Sequence, residues 1–135
     1  SNFLHVQANS NGAASFEGQP VAIRLTPGLS AQQDALIMVR PEKALALSAE
    51  QAAREPLPGG WNEVVAKVGE VLFLGESQTC HVMTAGGTEL TVKALSAAGM
   101  PMKPGDTVRV RWAVADACIY TEWAQSDLSK SAGAH

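Results

Sequence analysis

The sequence predicts an all-β chain, folded as a small sandwich or closed barrel with one short helical insertion. Three observations carry that prediction. Apolar residues recur at every second position, as half-buried strands require; turn-forming residues punctuate the chain at short intervals; and one segment, Ser48 to Glu55, has the pattern of a helix. With 135 residues, 46% hydrophobic and 17% charged, the chain can bury one core and has the composition of a folded protein.

Asn9-Ser10-Asn11-Gly12 supplies residues that tolerate positive φ, and Glu17-Gly18 offers a second tight reversal. Val21, Ile23 and Leu25 alternate with Ala22 and Arg24 as a strand, which the Pro27-Gly28 turn ends. Apolar Ile37-Met38-Val39 then runs straight into Arg40-Pro41-Glu42. Arginine and glutamate are costly to bury unpaired, so a charged corner on an apolar strand implies a fixed geometric task. Arg40 and Glu42 are therefore the candidate corner-fixing or interaction residues.

Ser48 and Gln51 have capping-box spacing, the residues between Ser48 and Glu55 favour helix, and Pro56 stops it. Leu57-Pro58-Gly59-Gly60 returns the chain to a strand starting near Trp61. Ala85-Gly86-Gly87-Thr88 joins two alternating runs as a hairpin, the second run carrying Leu90 and Val92. Ser96 to Pro104 reads as a loop over the barrel, followed by the turn Pro104-Gly105-Asp106. In the run from Val108 to Val114, Val108, Val110, Trp112 and Val114 are expected to share an apolar face, and Arg109 and Arg111 are expected on a wet one. The expected domain spans 1–123, with a strand-hairpin portion (1–47) and a main barrel portion (61–123) joined by a helical loop (48–60). A small, polar tail from 124 to 135 is expected to be disordered.

The residue chemistry excludes more than it proposes. Ten basic residues are spread without a cluster and the net charge is -3, which argues against the basic stripe that nucleic-acid binding needs. No Gly-rich phosphate loop ends in Lys-Ser or Lys-Thr, and Ser77 and Ser96 lack a nucleophile-elbow setting. His5, His81 and His135 lie far apart, and adjacent Cys80 and His81 would face opposite sides of a strand, so no metal site is expected. Cys80 and Cys118 each lie in an apparent strand and read as small buried hydrophobes. Glu17, Asp106 and Asp116 sit at turns, where solvation or capping is expected. No catalytic, cofactor-binding or metal residue is assigned.

Five segments occur in a telling order: Asn2-Phe3-Leu4; Val39-Arg40-Pro41-Glu42-Lys43; Gly69-Glu70-Val71 followed by Leu74-Gly75-Glu76; Gly87-Thr88-Glu89-Leu90-Thr91-Val92; and Gly105-Asp106-Thr107-Val108-Arg109-Val110-Arg111-Trp112. Together they resemble the transport-associated OB (TOBE) region at the C-terminus of ABC importer ATPases, from Asn2 to about Tyr120. His81-Val82, and Trp112 before Asp116, are most similar to the putrescine and spermidine branch.

The resemblance implies an OB-fold-like small β-barrel acting as a structural and regulatory domain of a polyamine importer. It implies a preceding nucleotide-binding domain that holds ATP and Mg, so that none is bound here. Its implied partners are that domain, a second ATPase subunit in a homodimer and the membrane permease subunits, with no nucleic acid. The implied location is cytoplasmic, peripheral on the inner face of the bacterial plasma membrane. Two departures stand out: His5 and Val6 lie where many relatives carry Gly, and Ser48 to Gly60 is longer than a simple turn. A related branch binds molybdate, but Asn2-Phe3-Leu4 lacks that branch's preceding Ser-Ala-Arg and a suitable Lys, so its site is not carried over. The alternatives are an oxyanion- or small-ligand-binding module and a nucleic-acid-binding OB-fold.

Overall fold

The computed structural model describes residues 1–9, 11–24, 32–74, 77–94 and 102–121. Among the described residues there are ten strands, β1 (Asn2–Ala8), β2 (Ala13–Phe16), β3 (Gln19–Ala22), β4 (Gln33–Val39), β5 (Leu45–Ser48), β6 (Trp61–Leu74), β7 (Ser77–Met83), β8 (Glu89–Ala94), β9 (Thr107–Ala113) and β10 (Cys118–Tyr120), and one α-helix, α1 (Ala49–Arg54). They make two sheets. One is open, in the order β10-β4-β1-β2-β3; the other is a closed barrel, β5-β8-β7-β6-β9. The expected all-β barrel with a short helical insertion is therefore the observed architecture.

Period-two alternation places the side chains. Leu4, Val6 and Ala8 of β1 and Ala35, Ile37 and Val39 of β4 turn inward, and they join Val64, Val92, Val108, Val110 and Trp112 of the barrel in one continuous core. The hairpin of β2 and β3 turns through Glu17 (φ 50) and Gly18 (φ 79). Two positive φ values in a two-residue loop match the right-handed twist of the flanking strands. Glutamate at the first of them costs about 1 kcal/mol. The helix begins as its sequence indicated: the Ser48 hydroxyl accepts the Gln51 amide at 3.1 Å, and Gln51 Oε1 accepts the Ser48 amide at 2.9 Å. In β6 a bulge between Val68 and Glu70 shifts the pairing with β7, so this 14-residue strand pairs with β9 along its first half and β7 along its second.

Strand pairing draws the division of the chain differently from the expected 1–47 and 61–123. β5 lies in the barrel, antiparallel to β9 and parallel to β8, while β10 returns to the open sheet beside β4. The corner at Arg40 is thus the crossing from one sheet to the other, and the barrel starts before the helix. Cys118 is exposed, because short edge strand β10 turns Ile119 toward the core and Cys118 and Tyr120 outward; both cysteines are free. The Pro27-Gly28 turn, Leu25, most of the Ser96 to Pro104 stretch and the 124–135 tail lie outside the described residues.

Two buried asparagines join the sheets by the same device. Asn2 on β1 donates from Nδ2 to the Thr91 carbonyl at 2.8 Å, and its Oδ1 accepts the Thr91 amide at 2.7 Å. Asn62 on β6 does the same to Ala22 of β3, at 2.8 and 2.7 Å. One clamp thus reaches from the open sheet to the barrel and the other from the barrel to the open sheet.

Each amide supplies the donor and acceptor that a neighbouring strand would have supplied, which satisfies a peptide unit at an otherwise open edge. Asn62→Asp keeps the acceptor but sets a carboxylate against the Ala22 carbonyl. It should lower the stability by about 2 kcal/mol or more, read from the urea midpoint at constant slope. A change within about 0.5 kcal/mol, the range of ordinary surface substitutions, would remove the clamp from this account.

Candidate functional site

Pro41 to Lys43 forms a 3-10 turn in which the Lys43 amide donates to the Arg40 carbonyl at 2.9 Å and the Ala44 amide to the Pro41 carbonyl at 3.2 Å. Proline fixes φ at the first position of that turn, so the corner is shaped by backbone. Arg40 and Glu42 are both exposed, and among the described residues neither side chain makes an ion pair or hydrogen bond. The structure thus sets the two charges on a stiff corner without joining them to each other.

The charged residue that the domain does use internally is Arg111. It points away from the barrel core, as the alternation predicts, but α1 and the segment after it cover it, so the expected wet face is dry at this position. Nε donates to Glu63 Oε2 at 2.7 Å, Nη1 to the Glu55 carbonyl at 2.6 Å and Nη2 to the Ala52 carbonyl at 3.3 Å. The last two are carbonyls at and just beyond the C-terminal end of α1, where unsatisfied acceptors favour a cation. Arg109, on the same face, is more exposed and lies 3.7 Å from Glu63 Oε1. Beside Arg111 is a cleft of about 170 Å³ lined by Leu45, Leu47, Pro56, Pro58 and Trp61. No local signal marks Arg111 apart from Arg109 in the sequence; the helical insertion, which needs something beneath it, is the only hint.

A second internal ionic contact links the tips of two hairpins. Glu17 Oε2 accepts the hydroxyls of Thr84 at 2.7 Å and Thr88 at 2.8 Å, and Oε1 accepts the Gly86 amide at 3.0 Å. Desolvation pushes the Glu17 carboxyl up, but hydrogen bonds from Thr84, Thr88 and Gly86 together outweigh it and hold the pKa below the usual glutamate value. Glu17 thus has more than the solvated turn role expected of it. Burial pushes the Cys80 thiol up, which keeps it protonated and unreactive. His81 Nδ1 lies 3.5 Å from Glu70 Oε2, with both side chains well exposed. Among the described residues no group of three or more His, Cys, Asp or Glu could hold a metal ion, and no helix is long and apolar enough to cross a membrane.

A closed five-strand barrel clamped to a second sheet, with Arg111 and Glu17 bound at helix and hairpin ends, defines a small two-sheet β-module. Residues 37–119 match the TOBE domain, so the chain belongs to the TOBE domain family, whose domain is not catalytic. Among solved structures, the cytoplasmic molybdate-binding protein ModG, with molybdate bound, has a TM-score of 0.70 at 15% identity, covering 87% of this chain and 94% of that one. At that identity the likeness is one of fold. No curated protein sequence matches the chain.

Two measurements check the internal charges. Arg111→Ala should cost on the order of 2 kcal/mol, because it leaves two carbonyls without donors and Glu63 without its closest partner; an unchanged urea midpoint would contradict this. Glu17, with its carboxyl held below its unfolded value, contributes stability that is complete above the unfolded pKa and is lost as pH falls through the folded one. The melting-temperature gap between wild type and Glu17→Gln should therefore be widest near neutral pH and close in acid below the ordinary glutamate range. A gap independent of pH would show that the carboxylate contributes nothing.

Proposed function

We propose that this TOBE chain serves as an accessory domain of the ATP-binding subunit of an ABC importer. There it would contact its own nucleotide-binding neighbour or the second subunit of an ATPase homodimer, and through them the permease at the inner membrane face. ATP and Mg belong to that neighbour in this reading. The observation that carries it is the TOBE match over residues 37–119, which takes in the Arg40-Pro41-Glu42 corner. Two opposite charges that stand exposed on a backbone-fixed turn, with no bond to the domain's own described residues, suit recognition of another surface. Neither comparison supports the polyamine branch, so the reading stops at an importer of unspecified solute. Arg111 is occupied by Glu63 and α1, which takes away half of the Arg109–Arg111 face that a nucleic-acid reading would need.

ModG gives a second reading, oxyanion binding, through its shared fold and its bound molybdate. Calorimetry of the chain with molybdate separates the two: a saturable heat favours the oxyanion module, and no heat favours the accessory domain. For the first reading, Arg40→Ala should leave the melting temperature of the chain within the small range of surface substitutions. In the ATP-binding subunit the same change should weaken ATP-dependent dimerisation. A melting point lowered by several degrees would assign Arg40 to the domain's own stability and overturn its role at an interface, and a Ser1 preceded by no Walker motif in its reading frame would overturn the importer.

A further inference from the structure

The contact between Glu17 and the Thr84–Thr88 turn is built like a receptor holding a ligand. The turn is organised by its own bonds: the Thr84 amide donates to the Thr88 carbonyl at 2.9 Å, the Gly87 amide to the Thr84 carbonyl at 3.0 Å, and the Thr88 amide to the Thr84 hydroxyl at 3.0 Å. Accepting that last bond directs the Thr84 hydroxyl proton outward. What the turn then presents is three donors from three residues, the two threonine hydroxyls and the Gly86 amide, converging on the two oxygens of one carboxylate. Gly86 leaves room for it, since a Cβ there would lie 2.4 Å from Glu17 Cδ.

The backbone that carries these donors is held by the turn's own bonds, and the Thr84 hydroxyl has a second partner in the Thr88 amide. Glu17 arrives from the other sheet, on an exposed two-residue hairpin tip, in a left-handed backbone conformation that glutamate rarely adopts. The receptor half is thus preorganised, and the strained half is the ligand.

We propose that the Thr84–Thr88 turn is a binding site for a small carboxylate anion, which Glu17 fills as a tethered internal competitor. An external carboxylate and the β2–β3 hairpin then exclude each other: binding one releases the other, and by linkage the two affinities change reciprocally. Tethering gives Glu17 an effective concentration on the order of millimolar, so the turn answers to external anions only as far as they outcompete it. The site is separate from the Arg40 corner, and its test, which reads acetate at this one turn, is independent of the importer reading.

The test uses Glu17→Gly, which removes the competitor and relieves the positive φ, with Glu17→Asn as a second variant that keeps a residue tolerant of that backbone. Acetate is titrated into each labelled chain against chloride at matched ionic strength, and the amide signals of Gly86 and Thr88 are followed. In both variants acetate should shift these signals saturably, at least about tenfold more tightly than in wild type. Adding Thr88→Val should abolish most of the response while the rest of the spectrum stays in place. Equal responses in wild type and variants, a response that chloride reproduces, or one that survives Thr88→Val would each overturn the site.

Discussion

The arrangement of the whole molecule rests on a side-chain amide taking the place of a missing strand. An open sheet and a barrel that meet face to face leave peptide groups at their seam with no neighbour, and a buried unpaired N–H or C=O costs about 1–3 kcal/mol. Asn2 and Asn62 meet this need because a primary amide carries a donor and an acceptor side by side, as a peptide does. Each is 5% exposed. The Thr91 clamp also helps close the barrel, since β5 pairs with β8 only at Lys93 and Ala94 and the Ala44 carbonyl takes the Lys93 amide at 2.8 Å. Next along β8, Asn2 continues that edge. The core can therefore run unbroken from Phe16 and Leu4 to Trp112.

The charged residues follow from the same economy of edges and ends. Arg111 binds carbonyls at the end of α1, and Glu17 binds the hydroxyls and amide of a hairpin tip; in both cases an ion meets backbone groups that secondary structure had left over. Both also tie an element to a surface it would otherwise only touch: α1 has no buried residue of its own, and the β2–β3 tip is exposed. A six-residue helix is too short to stand on propensity alone, so its capping box at one end and Arg111 at the other hold it in place.

What was legible in the sequence was whatever leaves a local trace. Alternation located the strands, Ser48 and Gln51 announced the helix, and Arg40-Pro41-Glu42 marked a corner that is the crossing between sheets. What was not legible acts over long separations: Asn2 meets Thr91, Asn62 meets Ala22 and Glu17 meets Thr84 across 40 to 89 residues, and nothing in the neighbourhood of an asparagine says that it will stand in for a strand. The same blindness misassigned Arg111, because period two tells which face a side chain takes and is silent on what covers that face. Cys118 was misread for the converse reason: its strand is real, but it lies at an edge, with three residues and one covered side.

This difference in legibility separates fold from function in the TOBE chain. The resemblance to the family read from the sequence rests largely on short segments near turns and corners, positions where backbone geometry restricts the choice of residue, and those are the positions a sequence displays openly. Recognition of a ligand or partner rests on which polar groups remain after the fold has met its own needs. In this molecule the fold consumes Asn2, Asn62 and Arg111 completely, holds Glu17 in a contact that another carboxylate could make, and leaves Arg40 and Glu42 unbonded to the described residues on a turn stiffened by Pro41. The order of that series, from groups spent inside to a group in reversible contact to groups held out, is the order in which they can respond to anything outside the domain.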